Sequence, residues 1–340
     1  MRQVAAIVNT NAYRVRPAVV AALERQLGSR HVFVTASAAA GQDAVAQVIA
    51  GHHDVLCIVG GDGTFIQAAS DVHAIARARP PILFGLAYGF GNAIADISGS
   101  SPPTLAGLGR DLARARGAEP PAPLHLLRAN GKISYYAGVG LDAIFVEDMY
   151  AIAKGRWRRT LTALRGVPGL AATVLGRTLP RLLTYRAPHV RVTATGPATR
   201  LDARGVAGDA IAAGTVLHDG PALMAAGGTI ASYGKQFQAF PFADRVPAGQ
   251  FHLRVWTIGA GALLCHVPAI WRGRYFPPGV HDWAASGVTI EWPSPHVIHI
   301  GGDLEQPTTN IHLDILDWSV PILKLLSHST IPPSTSSEKL

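Results

Sequence analysis

The sequence predicts an α/β domain built on a parallel sheet, followed by a domain of antiparallel strands. Three observations predict it. Short apolar runs alternate with helical periodicity over the first 120 residues, and that alternation implies right-handed crossovers and a parallel sheet. A proline-rich break, GAEPPAP, follows at 117–123. After residue 188 come many short β-rich pieces with Gly and Pro between them, the texture of an antiparallel sandwich or barrel.

In order, VAAIVN (4–9) reads as a strand ended by polar residues. RPAVVAALERQLG (16–28) reads as a helix, with Pro17 near its start and Gly28 after its end, the usual places for the two residues. HVFVTA (31–36) is a second strand and GQDAVAQVIAGHH (41–53) a second helix. VLCIVGG (55–61) is a third strand, TFIQAASDVHAIARA (64–78) a third helix, and PILFGLAYG (81–89) a fourth strand. Asn130-Gly131 is a hairpin-turn signal. HVRVTATG, DAIAAGTVL, FHLRVWTIG, GVTIEW, HVIHIGG and NIHLDIL supply the later strands. The expected division is an α/β domain over 1–122 and a β-rich domain over 123–304. The Ser/Pro-rich tail, 327–340, is expected to be disordered.

The chain has 340 residues, 48% of them hydrophobic and 15% charged, enough for a large core and against wholesale disorder. Lys plus Arg is 30 and Asp plus Glu 22, a net charge of +8, and only five of the basic residues are Lys. Arg is the better partner for phosphate or carboxylate, so the charge points to an acidic partner: nucleotide, anionic lipid or nucleic acid. Cys57 and Cys265 are the only cysteines, so neither a disulfide framework nor a zinc spacing is present. Cys57 reads as a small buried hydrophobe. The N-terminus lacks the apolar region of a secretory signal, and no uncharged apolar run is long enough to span a bilayer. A cytoplasmic protein is expected.

The third strand stops on Gly60-Gly61-Asp62-Gly63-Thr64. Glycine permits φ > 0 and close approach to a ligand, successive N–H groups can form an anion-binding nest, and a helix starting near Thr64 adds its positive end. The turn suits phosphate. Asp62 fits beside phosphate only if Mg²⁺ intervenes or a hydroxyl bonds to it. The alternative is a tight strand-to-helix turn with Asp62 as a cap. The turn is neither a GxxxxGK[ST] loop nor a GxGxxG fingerprint.

Residues 149–201 contain no Asp or Glu but carry Lys154, Arg156, Arg158, Arg159, Arg165, Arg177, Arg181, Arg186, Arg191 and Arg200, with Trp157 and aliphatic residues interleaved. Such a segment can lie on an anionic membrane surface, or its helices can face an acidic region of the same protein. His296 and His299 are three apart on a predicted strand, hence on opposite faces, and do not suggest a metal pair.

VGGDGTFIQA resembles the nucleotide-binding signature of the diacylglycerol kinase, sphingosine kinase and YegS-like lipid kinase superfamily, although NAD kinases share GGDGT. LAYGFGNAIAD (86–96) resembles that superfamily's second glycine-rich motif, YYAGVGLDAIFVEDM (135–149) its F-x-N-x-x-G-x-G-x-D-A segment, and NIHLDILDWSV (310–320) its final strand. The resemblance implies an N-terminal nucleotide-binding domain, a C-terminal antiparallel sandwich-like lipid domain, and residues 305–326 packing back on the first domain. It implies transfer of the ATP γ-phosphate to a lipid hydroxyl, with ATP and Mg²⁺ as cofactors. It places Asn9, Gly60, Gly61, Asp62, Gly63, Thr64, Gly89, Gly91 and Asn92 at the nucleotide, Asp62 at the metal, and Asp142 at the lipid head group, with a structural cap as the alternative for Asp142. The implied partners are a lipid substrate and an anionic membrane surface reached through 149–201, without nucleic acid. The protein would be peripherally membrane-associated, and a homodimer is left open.

Four departures stand out. The superfamily's C-terminal Asp-Gly-Glu turn reads IGGDLEQPTTN and fits two registers. Asp303 belongs to both and is the favoured catalytic carboxylate, with Glu305 second and Asp62 assisting. Ala93 stands where bacterial diacylglycerol kinases have Asp, as it does in sphingosine and ceramide kinases, and Phe90 replaces a small hydroxyl residue. Ala248 falls where many bacterial members have a structural-metal Asp, so no Mg²⁺ is expected there. The N-terminal VNTNAYRVRP lacks the usual Pro and glycines. These changes keep two alternatives open: a kinase of a specialised soluble metabolite, and a nucleotide- or lipid-binding protein without catalysis.

Overall fold

Strands β1 (Val4–Asn9), β2 (Val32–Thr35), β3 (Val55–Gly60) and β4 (Ile82–Ala87) lie side by side in the order β2-β1-β3-β4, all parallel. The computed structural model describes residues 1–89, 91–154, 173–234, 237–274, 276 and 278–324. Phe90, residues 155–172 of the basic stretch and the 327–340 tail lie outside them.

Both faces of this sheet are covered, which is why its strands are continuous apolar runs. Val55, Cys57 and Val59 point to helices α1 (Pro17–Leu27) and α5 (Leu105–Arg116). Leu56 and Ile58 point to α2 (Ala38–Ala50) and α3 (Asp62–Ala76). Cys57 is fully buried, and desolvation pushes its thiol up to about 12. The second helix begins three residues before the predicted Gly41, because the Ser37 hydroxyl accepts from Ala40 N and caps it there. The third begins at Asp62, two residues before the predicted Thr64. A short α4 (Ala93–Ser98) and α5 were not predicted; Thr104 caps α5 by accepting from Gly107 N at 3.0 Å.

The second half is antiparallel. The hairpin β5 (Ala122–Ala129) and β6 (Lys132–Ser134) turns on Asn130 and Gly131, both at positive φ. β7 (Tyr136–Gly140) leads into α6 (Leu141–Lys154). Then follow β8 (His189–Ala194), β9 (Ala198–Leu201), β10 (Ala207–Ile211), β11 (Val216–Pro221), β12 (Met224–Gly228), β13 (Phe251–Trp256), β14 (Val280–Ala285), β15 (Gly287–His296), β16 (Ile298–Ile300), β17 (Asp303–Leu304) and β18 (Thr308–Ile322). One sheet runs β10-β9-β14-β13-β12-β7-β16-β17. The other joins β11-β8-β15-β18 to the parallel strands. Leu127, Val192, Ile290 and Leu313 of the latter share one core with Val139, Phe251, Leu253 and Val255 of the former, so the two sheets form a sandwich. The long β18 pairs with β15 and β5 and ends with Ile322 beside Leu83 of β4, in parallel.

Behind the second sheet lies a buried polar group. Arg254 donates to both oxygens of Asp282, at 2.8 and 3.3 Å, and His252 Nε2 lies 2.8 Å from Asp282 Oδ1. Among the described residues, no helix is long and apolar enough to cross a membrane.

Candidate active site

Because β1, β3 and β4 are parallel, their carboxyl ends at Asn9, Gly60 and Ala87 share one edge of the sheet. Beyond it the chain makes two glycine turns, and they touch backbone to backbone. A Cβ on Gly89 would stand 2.3 Å from Gly61 Cα. One on Gly60 would meet the Thr64 side chain at 2.7 Å, and one on Gly91 would meet Asp62 Oδ2 at 2.8 Å. None of Gly60, Gly61, Gly63, Gly89 and Gly91 takes a positive φ. The expected φ > 0 is therefore corrected: at Gly60, Gly89 and Gly91 glycine serves close approach, and the turn is not a left-handed nest.

The left-handed residue is Asn92, at φ 61°. Its Oδ1 accepts from Gly89 N at 2.8 Å and its Nδ2 donates to Gly89 O at 3.1 Å, which pins the second turn. Asn9 Nδ2 donates to Thr64 Oγ1 at 2.9 Å, tying β1 to the first turn. Asp62 Oδ1 accepts from Ile94 N at 3.1 Å, so Asp62 caps α4 of the neighbouring turn. Asp62 keeps some exposure, but protein crowds its carboxyl, and desolvation pushes its pKa up against the pull of the α4 amides.

What remains for a ligand is the start of α3. The amides of Gly61, Asp62, Gly63 and Thr64 donate to no acceptor among the described residues; the first one taken is Phe65 N, by Gly61 O at 3.1 Å. Unspent amides at the positive end of a helix attract an anion, and Gly63 is exposed. The space enclosed by Gly60, Gly61, Asp62, Phe65, Asn92 and Ile94 is about 10 Å³, room for one water. An anion larger than that meets the turn from outside. A depression of about 570 Å³ lined by Ala18, Ala21, Arg25 and Leu105 is larger, but it is shallow and lies on the sheet face opposite α3.

Gly301 and Gly302, at φ 63° and 89°, turn the chain from β16 into β17. Asp303 Oδ2 lies 3.9 Å from where a Cβ of Gly63 would stand, and Asp303 Oδ1 accepts from the Tyr150 hydroxyl at 3.0 Å. Glu305 Oε1 instead accepts from Lys132 Nζ at 2.6 Å, on the β5–β6 hairpin. The two carboxylates of the turn thus diverge, and Asp303 is the one beside Gly63.

Asp142 is buried. Its Oδ1 accepts from Ala143 N at 2.8 Å; its Oδ2 lies 2.8 Å from His299 Nε2 and accepts from Tyr233 OH at 3.2 Å. Both oxygens are engaged by protein. Tyr136 packs against Tyr233 and His299. Burial raises its phenol far above the usual range, reinforced by Asp62, Asp303 and Asp142. Tyr150, Lys132, Tyr233 and the His299 pairing were missed from sequence. Of these only Lys132 carried a signal, the Asn-Gly turn beside it. In the basic stretch, Arg177 pairs with Asp148 at 2.8 Å and Arg181 with Glu147 at 2.6 Å, both on α6.

Among the described residues, no group of three or more His, Cys, Asp or Glu could hold a metal ion. The donor set fits Mg²⁺ only as a passenger on phosphates, where one or two protein carboxylates suffice.

A parallel sheet with an anion-ready turn at its carboxyl edge, joined to an antiparallel sandwich, defines a two-domain α/β–β protein. More particularly, the chain has the diacylglycerol-kinase-like lipid kinase fold. A solved structure of a candidate diacylglycerol kinase from Bacillus anthracis str. Sterne matches 96% of this chain and 98% of its own, with TM-score 0.63 and 16% identity. A second structure of such a protein from that strain matches the same shares at TM-score 0.62 and 16% identity. A diacylglycerol kinase from the same strain matches 96% and 97%, at TM-score 0.61 and 15% identity. No family model and no curated protein matches the sequence.

Proposed function

We propose that the protein is a kinase that transfers the γ-phosphate of ATP to the hydroxyl of a lipid. The observation that carries this reading is the pairing of four unspent amides, Gly61 to Thr64, with a carboxylate, Asp303, on the far side of Gly63. The amides bind the polyphosphate and stabilise charge in the transition state, which in phosphoryl transfer is most of the catalytic task. Asp303 Oδ2 takes the proton of the acceptor hydroxyl. The acceptor oxygen bonds to the γ-phosphorus, the bond to the β-phosphate oxygen breaks, and ADP leaves. Asp62 and Asp303 are the carboxylates that would face a Mg²⁺ ion bound with the phosphates, and the ion would supply charge neutralisation there. Asn9, Gly60, Gly89, Gly91 and Asn92 hold the turns in shape, and Glu305 braces the catalytic turn through Lys132. Asp142, with both oxygens engaged by protein, ties α6 to β16 through His299.

The lipid acceptor draws support from the fold and from the acid-free stretch at 149–201. There Leu175 and Leu183 are 65% and 67% exposed beside Arg177 and Arg181. Arg177 and Arg181 are paired with Asp148 and Glu147, so the contribution of this surface is its exposed apolar side chains, which in an Arg-rich stretch suit a peripheral contact with a membrane. The test is incubation with labelled ATP and vesicles carrying diacylglycerol, sphingoid bases or ceramide, beside a panel of soluble alcohols. Label on a lipid supports the proposal. Label on soluble acceptors alone moves the reading to a metabolite kinase. ATP binding without transfer leaves a nucleotide-binding protein.

A further inference from the structure

We infer that Tyr150 is a positioning residue for Asp303, a role that rests on the phosphotransfer reading above. Asp303 stands on an exposed turn made by two glycines, and a carboxylate in such a place turns freely about its side-chain bonds. Tyr150 removes that freedom: its hydroxyl donates to Oδ1 at 3.0 Å and leaves Oδ2 as the oxygen toward Gly63. A hydrogen bond to a charged oxygen is among the stronger ones.

Tyr150 can do this because α6 is anchored twice to the same β16–β17 hairpin. At the start of α6, Asp142 meets His299 of β16 at 2.8 Å; eight residues later Tyr150 meets Asp303 of β17. Eight residues are just over two helical turns, about 12 Å, so the hairpin holds α6 at two separate points of its length. A third hold comes from the side: Asp148 and Glu147 of α6 pair with Arg177 and Arg181. The ring therefore arrives at Asp303 from a braced element. Burial and the nearby Asp303 push the Tyr150 phenol up to about 12, so it remains protonated, and a donor, at neutral pH. Tyr150 exchanges no proton with substrate and touches no reacting atom; it decides which carboxylate oxygen is available and where.

The experiment is Tyr150→Phe, which removes one oxygen from a partly exposed ring. Three quantities are measured on wild type and variant: kcat for phosphate transfer, Kd for ATP, and Tm. Loss of one hydrogen bond to a charged group corresponds to about a ten- to hundredfold fall in kcat, with ATP Kd within about twofold and Tm within about 2 °C. An active wild type whose kcat survives Tyr150→Phe overturns the role. A variant that loses kcat, ATP binding and Tm together also overturns it, because the hydroxyl would then be holding the fold. A wild type that binds ATP but transfers phosphate to no acceptor overturns the phosphotransfer reading, and the positioning role falls with it.

Discussion

Asp303→Asn and Glu305→Gln form a matched pair, because the structure sends the two acids of one turn in opposite directions. Asp303 Oδ2 approaches the first glycine turn, while Glu305 is held by Lys132 at 2.6 Å. Both substitutions keep shape and remove charge, and both residues sit outside the core, so neither should change Tm by more than a degree or two. A general base contributes about 10²- to 10⁴-fold to a rate, which at 1.36 kcal/mol per decade is about 3–5 kcal/mol of barrier. Asp303→Asn should therefore lose at least about a hundredfold in kcat while ATP Kd stays within about threefold. Glu305→Gln removes a largely surface ion pair, worth about 0–1 kcal/mol, and should keep kcat within about fivefold. Initial rates of label transfer, with ATP binding measured separately by calorimetry, check both. If Glu305→Gln loses the larger factor, or Asp303→Asn keeps full activity, the assignment of the base from the turn geometry is wrong.

Gly89→Ala puts a methyl group 2.3 Å from Gly61 Cα, against backbone that cannot rotate away; calorimetry should show ATP binding lost, and the melt a lowered Tm. Asp282→Asn strips the carboxylate from Arg254, which is 1% exposed, and breaking such a pair costs about 3–5 kcal/mol, to be read as a lower denaturant midpoint. The same cluster sets a pH dependence. Burial holds His252 below its ordinary value, so its contribution to stability is complete above the unfolded value of about 6.5. That contribution is lost as pH falls through the lower folded value, where the unfolded chain binds the proton first. Denaturant midpoints should drop between pH 7 and 5, and His252→Gln should flatten part of that slope.

The inner parallel strands β1, β3 and β4 were legible because each is largely buried on both faces and reads as an unbroken apolar run, as Val55 to Val59 does. Other elements hide for identifiable reasons. MAAGG, the central strand β12, has no β-branched residue; its glycines make room for rings, since Cβ atoms on Gly227 and Gly228 would meet Phe251 and Phe240 at 2.7 and 2.3 Å. VHDWAA, β14, carries Asp282 in a sheet interior, a charge explained only by Arg254 and His252 on the neighbouring strand. Helix α5 escapes because Gly107 and Gly109 are poor helix formers and its face carries a buried Asp111, although Leu108, Leu112 and Ala115 still pack on the sheet. At the site, glycine composition marked both turns, while the reason for the glycines, mutual contact, needs residues 28 positions apart in the chain to be seen together.

Asp303 is the harder case, and its placement follows from the seam where the two halves meet, across one shared buried core that joins Ile58, Phe65 and Ile94 to Tyr135, Tyr136 and Met224. β18 meets β4 at the single pair Ile322 and Leu83, with Leu323 N donating to Leu83 O at 3.2 Å. The seam is supplemented by Trp318 Nε1 donating to Arg77 O at 3.1 Å, and by the closeness of Gly91 and Gly234. Gly63 belongs to one side of that seam and Asp303 to the other. Their spacing is thus a property of the assembled sheets, and a local motif cannot encode it. Two readings of IGGDLEQ were both consistent with the sequence because each needed only a turn with an acid in it. What separates them is that β16 and β17 pair Ile300 with Asp303 and His299 with Leu304. This register puts Asp303 against α6 and the glycine turn, and leaves Glu305, beyond the hairpin, to Lys132.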